Sequence, residues 1–280
     1  MVIALTIVAF GTCAPELAIS FQSIQQGNGS MALANVIGSC IVNVLLIVGV
    51  AAWVHPIQIK SQTIKKEMPI LILVTIGIID LIIGRIFSTE VESALVRTDG
   101  VILLLLFFVF VYYIVNLVRN RHEEEEENTM KYGVIKSIVY LVLSIIVITI
   151  SSDLIVENAT IIAKSLNISE KVITLVVIVI GTSLPELVMT VTAAKKNEFE
   201  IAIGNIIGTN IFNISVVLGL PISVFGFLEI VDFNMIDLFF LFVSSFILWL
   251  FAKSERKISK IEGAIMIVIF LIYYSYAIFF

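Results

Sequence analysis

The chain has 280 residues, of which 59% are hydrophobic and 14% charged. With a mean hydropathy of +1.10, it carries more apolar side chain than a water-soluble core of that size can enclose. Its 17 Lys and Arg against 22 Asp and Glu leave a net charge of -5, dominated by one acidic run, so soluble enzymes, nucleic-acid binders and disordered chains are excluded.

A hydrocarbon core about 30 Å thick needs about 20 apolar residues in helix, and nine such segments follow in order. They are predicted near 1–25, 31–54, 67–87, 98–119, 133–163, 170–195, 201–225, 234–252 and 259–279. Barrel strands would be shorter and alternating, whereas Val101–Tyr113 is continuously apolar. Met1–Phe10 resembles a signal-peptide core, but no Lys or Arg occurs before Lys60, so a span is expected there and not a cleaved leader. Cys13 and Cys40 lie inside apolar stretches and imply no disulfide framework. Asp80 lies near the end of the third span. The acidic run His122–Glu127 marks residues 119–132 as a solvated linker between a first half, 1–118, and a second, 133–280. Its consecutive Glu residues lack the spaced oxygens and turn glycine of a calcium loop. Asp153 and Glu157, four apart in the fifth span, read as a vestibule feature or, the favoured reading, as a pair that snorkels near the outer surface.

Thirteen of the 17 basic residues fall on one side of these spans: Lys60, Lys65, Lys66, Arg119, Arg121, Lys131, Lys136, Lys195, Lys196, Lys253, Arg256, Lys257 and Lys260. That side is expected to be cytoplasmic, which puts Met1 inside and Phe280 outside.

The chain repeats itself. VIALTIVAFGTCAPEL at 2–17 matches VITLVVIVIGTSLPEL at 172–187 without a gap, and the same offset of 170 carries Asn35, Gly38, Ser39 and Asn43 onto Asn205, Gly208, Thr209 and Asn213. Matched Gly, Thr, Pro, Glu and Asn at one offset imply duplication. Because five spans separate the copies, they are inverted in the membrane, the arrangement by which secondary transporters expose a midplane site to either face in turn.

Glu16 and Glu186 fall near the middle of their spans, where an ionisable group costs at least a few kcal/mol unless it has a partner or a function. No Lys or Arg lies at comparable depth, two carboxylates near a twofold axis repel, and a bound cation resolves both problems. Pro15 and Pro185 lack the N–H that would bond the carbonyls of Gly11 and Gly181. Those carbonyls, the hydroxyls of Thr12 and Thr182, and the Ser39/Asn43 and Thr209/Asn213 pairs supply hard oxygen for the six to eight ligands that calcium takes, and sodium can use subsets of them. Singly, such prolines can be tolerated kinks and such hydroxyls can bond backbone; the duplicated Glu is what packing leaves unexplained. His55 and His122 sit at span ends as interfacial residues, and Cys13 is expected to be a small packing residue.

GTCAPEL and GTSLPEL, each followed by an N-x-x-G-[ST]-x-x-x-N helix, resemble the two alpha-repeats of the cation/calcium antiporter superfamily, in particular prokaryotic sodium/calcium exchangers. The resemblance implies competitive calcium and sodium binding at Glu16 and Glu186, completed by Thr12, Ser39, Asn43, Thr182, Ser183, Thr209 and Asn213. It implies no cofactor, and calcium, sodium and the lipid bilayer as partners. Cys13 stands where Ser is usual, which puts a sodium site in doubt, and Asn213 stands where several relatives have Asp, which argues against potassium. Family members have five helices per half, against four and five here. The counterpart of Lys131–Glu170 would precede Met1, so the chain is expected to lack the family's first helix. The expected function is sodium-for-calcium antiport. The alternatives are a calcium/proton antiporter of the same superfamily and, more distantly, an intramembrane enzyme; no HExxH pair, Ser–His pair or phosphate loop supports the last.

Overall fold

A computed structural model describes residues 9–87, 94–121, 134–166, 179–230 and 234–279. Among the described residues seven helical runs are long and apolar enough to cross a membrane: Gly29–Val54, Thr63–Ile86, Arg97–Leu117, Val142–Ile162, Phe199–Phe225, Met235–Glu255 and Lys260–Ile278. They coincide with seven of the nine predicted spans. The first and sixth predicted spans begin outside the described residues and are visible from Ala9 and from Val179. The acidic run His122–Glu127 and the side chain of Asp153 also lie outside the described residues, whereas Glu157 is exposed.

The two spans that carry Pro-Glu are not continuous. Helix α1 (Ala9–Thr12) stops at Cys13 (φ -82°, ψ 2°), and α2 (Ala14–Gln25) starts one residue later with Pro15 in its first turn. Proline fits a first turn because no N–H is needed there, so the chain begins a new helix rather than bending an old one. Next come α3 (Gly29–Ile41), a π-helical stretch Val42–Val48 and α4 (Gly49–Val54). A strand β1 (Ile57–Gln58) and a π turn Thr63–Glu67 lead to α5 (Met68–Ile86), then β2 (Ala94–Val96) to α6 (Arg97–Arg121).

The second half opens with α7 (Val134–Ser165) and then repeats the pattern. Helices α8 (Val179–Thr182) and α9 (Leu184–Lys195) part at Ser183, whose φ of -86° and ψ of 4° copy those of Cys13. Then come α10 (Phe199–Phe212), a π stretch Asn213–Leu218, α11 (Gly219–Phe225), β3 (Phe227–Glu229), α12 (Met235–Glu255), β4 (Lys257–Ile258) and α13 (Lys260–Phe279). Even the turn between the paired helices recurs: Gly27 at φ 75° is matched, 170 residues on, by Asn197 at φ 61°. Asn is one of the few side chains that enters this left-handed region readily.

The core is the pair Gly29–Val54 and Phe199–Phe225, buried over 83% and 94% of their apolar windows against at most 33% for the other five runs. Those five turn Leu73, Phe108, Val147, Phe239 and Leu271 outward, an apolar surface suited to lipid. The halves interlock. Helix α1 packs on α10 and α3 on α8, while α2 lies against the second π stretch and α9 against the first. Repeat-related residues touch each other directly, which marks the pseudo-twofold axis. Asn210 Nδ2 donates to the Cys40 carbonyl at 3.1 Å, and the hydroxyls of Thr75 and Ser245 lie 3.3 Å apart.

Lipid gives little hydrophobic drive between helices, so close backbone approach matters more. Two matching crossings provide it. A Cβ on Gly263 would stand 2.7 Å from the Gly49 carbonyl oxygen, and one on Gly100 would stand 2.7 Å from that of Gly219. The short strands also join the halves, β1 antiparallel to β4 and β2 antiparallel to β3. Their inter-span pairing is a small β addition to the all-helical expectation. Arg85 grips Asp99 through two hydrogen bonds of 3.0 and 2.9 Å, tying the end of α5 to the start of α6.

Two stability effects are expected. Gly100→Ala drives a methyl into the α11 backbone and should cost about 1–3 kcal/mol. Gly84→Ala meets nothing within 4 Å and should leave the apparent Tm in detergent unchanged. Asn210→Ala removes the amide that bonds both the Cys40 carbonyl and Asn43. It should lower Tm by an amount corresponding to about 1–3 kcal/mol, since Asn43 loses its partner in a dry interior.

Candidate functional site

The four helices at the two breaks converge at the centre of the core. Glu16 and Glu186 stand in the first turns of α2 and α9, 1% and 0% exposed. Thr12, Ser39, Asn43, Thr182, Ser183, Thr209 and Asn213 are buried with them; Gly181 is buried and Gly11 half-buried. All the residues singled out in the sequence therefore lie on the paired broken helices or on the α3 and α10 spans that cross them.

Contacts between the halves define the centre. The Thr12 hydroxyl, from the first half, sits beside the Glu186 carboxyl of the second. Neither Glu186 oxygen receives a well-aligned hydrogen bond. Cys13 is fully buried, has both Glu186 and Glu16 as electrostatic neighbours, and points its thiol at the Thr209 carbonyl 3.9 Å away. The residue that replaces a hydroxyl thus sits among the acidic groups.

The local bonding leaves oxygens facing inward. Thr182 and Ser183 both donate their hydroxyl hydrogens to the Val179 carbonyl, at 3.2 and 3.1 Å. Their lone pairs stay free to accept or to bind a cation. Asn43 donates through Nδ2 to Asn210 Oδ1 at 3.0 Å, which leaves its own Oδ1 buried without a partner. Ser39 Oγ, Thr209 Oγ1 and both polar atoms of the Asn213 amide are likewise buried without hydrogen bonds. So many unsatisfied oxygens together are costly in a protein interior. The donor set is carboxyl, hydroxyl and amide oxygen, and among the described residues no three His, Cys, Asp or Glu side chains cluster to hold a metal. That chemistry suits hard cations and does not suit thiophilic or imidazole-seeking ones.

The pairing of α9 with α10 fixes which residues oppose one another. Asn205 Nδ2 reaches Thr190 Oγ1 at 3.4 Å. Antiparallel helices then set Glu186, one turn back on α9, opposite Thr209, one turn on along α10. Thr182 and Asn213 follow along their chains, the one across the break at Ser183 and the other at the start of the π stretch. Beside this lane a cavity of about 660 Å³ runs between α7 and α9, touching Thr12, Pro185, Tyr140, Ser144, Met189 and Thr192 and ending at Lys196 and Glu198.

Sequence reasoning passed over two kinds of residue here. Asn210 lies off the i, i+4 lane of Thr209 and Asn213, yet it orients Asn43; its alignment with Cys40 was the available signal. Ser20 and Thr190, with Asn35 and Asn205 that the repeat had matched without assigning them to the site, extend the lane by one turn, at the same four-residue spacing that had singled out Ser39 and Asn43.

Residues 1–116 and 136–279 match the family described as sodium/calcium exchanger protein. The putative antiporter CaxA of Alkalimonas amylolytica is 35% identical over 100% of this chain and 88% of its own length. The sodium/calcium exchanger MaX1 of Methanosarcina acetivorans is 35% identical over 96% of this chain and 86% of its own. A solved structure of the sodium-calcium exchanger NCX_Mj, soaked with 2.5 mM Na+ and 0.1 mM Sr2+, superimposes with a TM-score of 0.79 at 31% identity, covering 97% of this chain and 85% of that one. With the broken, duplicated Pro-Glu helices crossing at one buried centre, the chain belongs to the sodium/calcium exchanger protein family, a family of transporters and not of enzymes.

Proposed function

We propose that this protein exchanges sodium for calcium across a membrane by alternating access to the centre between the two broken helices. The observation that carries the reading is the pair of buried carboxyl groups, Glu16 and Glu186, at matching breaks, among the buried and unbonded Ser39 Oγ, Asn43 Oδ1, Thr209 Oγ1 and Asn213 Oδ1. Calcium would be held by both carboxylates with hydroxyl and amide oxygens from Thr12, Ser39, Asn43, Thr182, Ser183, Thr209 and Asn213, and by the carbonyls of Gly11 and Gly181. Sodium would use subsets of the same oxygens. Calcium and sodium are cargo in this reading, and no cofactor takes part.

Mutual exclusion then makes transport an exchange. Two positive charges from calcium, or the equivalent from sodium, neutralise the carboxylates. Downhill sodium entry drives calcium out. The repeat halves, 1–118 and 133–280, rock about the shared centre, with 119–132 as their connection. The excess of Lys and Arg on one side puts that linker and the Lys196 mouth of the α7–α9 cavity in the cytoplasm, Met1 inside and Phe280 outside. The cavity supports access from that side.

Reconstituted vesicles test the reading directly. A sodium gradient should drive radiolabelled calcium uptake that a protonophore leaves unchanged; loss of uptake with the protonophore would assign the coupling to protons. Glu16→Gln and Glu186→Gln should each reduce uptake to background while the protein keeps its detergent Tm, and normal flux in either would refute the assignment. Protons compete for the same carboxylates, so uptake should fall as pH is lowered. Cys13→Ser restores a hydroxyl among the acidic groups and should lower the sodium half-saturation about threefold to tenfold, the size of one hydrogen-bond-class contact.

A further inference from the structure

In each half the polar lane between the paired helices has one rung more than the ion centre uses. The Asn205–Thr190 hydrogen bond of 3.4 Å sets the register of α9 against α10, with Glu186–Thr209 one turn nearer the break. The offset of 170 carries this to α2 and α3, where Ser20 opposes Asn35 one turn beyond Glu16 and Ser39. One further turn along, the opposed residues are Ile24 and Met31 in the first half and Ala194 and Ile201 in the second, so the polar lane ends there. All four third-rung residues are buried: Ser20 and Thr190 at 0% exposure, Asn35 at 4%, Asn205 at 0%.

Their bonding does not explain them as structure. Asn35 uses neither of its amide atoms, Ser20 Oγ has no partner, and Asn205 Oδ1 has none. A buried amide left without hydrogen bonds costs about 1–3 kcal/mol and does nothing for packing that Leu would not do better. The two halves also differ. Thr190 and Asn205 are joined, whereas Ser20 and Asn35 stand open. Because α2 and α9 run in inverted copies, their third rungs lie on opposite sides of the carboxyl pair.

Resting on the exchange reading above, we propose that Ser20–Asn35 and Thr190–Asn205 are transfer sites for the partly dehydrated cation, each passing it between the central carboxyls and one face of the membrane. An amide carbonyl and a hydroxyl, both uncharged, supply oxygens that hold a hard cation weakly enough to let it go. The hydrogen bond between Thr190 and Asn205 engages the amide nitrogen and one lone pair of the hydroxyl, which holds the rung together and leaves Asn205 Oδ1 for the ion. The two rungs therefore act on opposite faces.

Sided flux measurements test this. Calcium half-saturation is measured with calcium presented to the outer face in right-side-out vesicles and to the inner face in inside-out ones. Ser20→Ala and Asn35→Ala should raise it about threefold to tenfold at one face and leave the other unchanged. Thr190→Val, which keeps volume, and Asn205→Ala should do the same at the opposite face. Asn35→Ala should keep or raise Tm, because it removes an unpaired amide. Equal effects on both faces, or no effect in any of the four variants, would overturn the proposal; a lower Tm in Asn35→Ala with unaltered half-saturation would overturn it in favour of a structural role. If the wild type is driven by protons and not by sodium, the exchange reading fails, yet the comparison of faces remains as decisive, since it reads calcium with either coupling ion.

Discussion

Burying two carboxyl groups inside a lipid-spanning bundle is the constraint from which the rest follows. Water cannot solvate Glu16 or Glu186 at under 2% exposure, and desolvating a charge costs far more than one hydrogen bond returns. The helices therefore break beside them, at Cys13 and Ser183, where the new first turns carry the acidic groups and the positive end of the α2 or α9 dipole faces them. Oxygen-bearing side chains of α3 and α10 must then come within reach. That requires α3 to pass close to the opposite break, which Gly38 allows, since a Cβ there would stand 3.1 Å from Val179, while the glycine contacts at 49, 100, 219 and 263 hold each core span against an outer helix. In the proposed cycle the same constraint couples cargo to movement: a neutralised centre can be enclosed, whereas an unneutralised carboxyl pair resists enclosure. Exchange without leak is a consequence of that electrostatic cost.

The architecture was unusually legible because inverted repeats write themselves twice. Matched Gly-Thr, Pro-Glu and Asn at one offset located both broken spans and their crossing partners, and the structure puts the matched residues at equivalent backbone angles. What stayed hidden has physical causes. A Pro-Glu step reads as a kink, because one sequence cannot reveal whether the chain bends a helix or restarts it; the restart is set by the φ and ψ of Cys13 and Ser183. The π stretches 42–48 and 213–218 have ordinary apolar composition, so nothing in their side chains signals the extra residue per turn. Such stretches are common at functional sites. Here they begin at or next to Asn43 and Asn213 and set where those amides point. Asn210 escaped notice because its role is a contact across the axis, between residues 170 apart, which periodicity along one helix does not encode.

The inter-span strands show the same limit from another side. Ile57–Gln58 and Lys257–Ile258 belong to polar connections that carry no alternating pattern. They pair because the inverted halves bring two loop backbones to one end of the bundle, and unpaired backbone groups near lipid are costly. Arg85–Asp99 is similar: a bidentate grip between span ends depends on where α5 and α6 come to rest.

Imperfect symmetry gives the device a direction. Were the halves identical, the two access states would be related by the twofold axis and equal in energy, and the protein would favour neither face. The side chains at the axis are not identical. Cys13 replaces what is Ser183 in the second copy, so one break carries a hydroxyl and the other a thiol that is a poor ligand for hard cations. Cys40 faces Asn210, so position 210 brings an amide to the axis where position 40 brings a thiol; that amide donates to the Cys40 carbonyl and accepts from Asn43. Asn43 is thereby held, while its counterpart Asn213 has no hydrogen bond at either amide atom. Whatever part of such a difference changes between the two access states biases them, and a two-state equilibrium shifts tenfold for every 1.4 kcal/mol of that bias. A handful of such substitutions at the axis is enough to make one access state the resting one, and to leave the ion gradients to supply the rest.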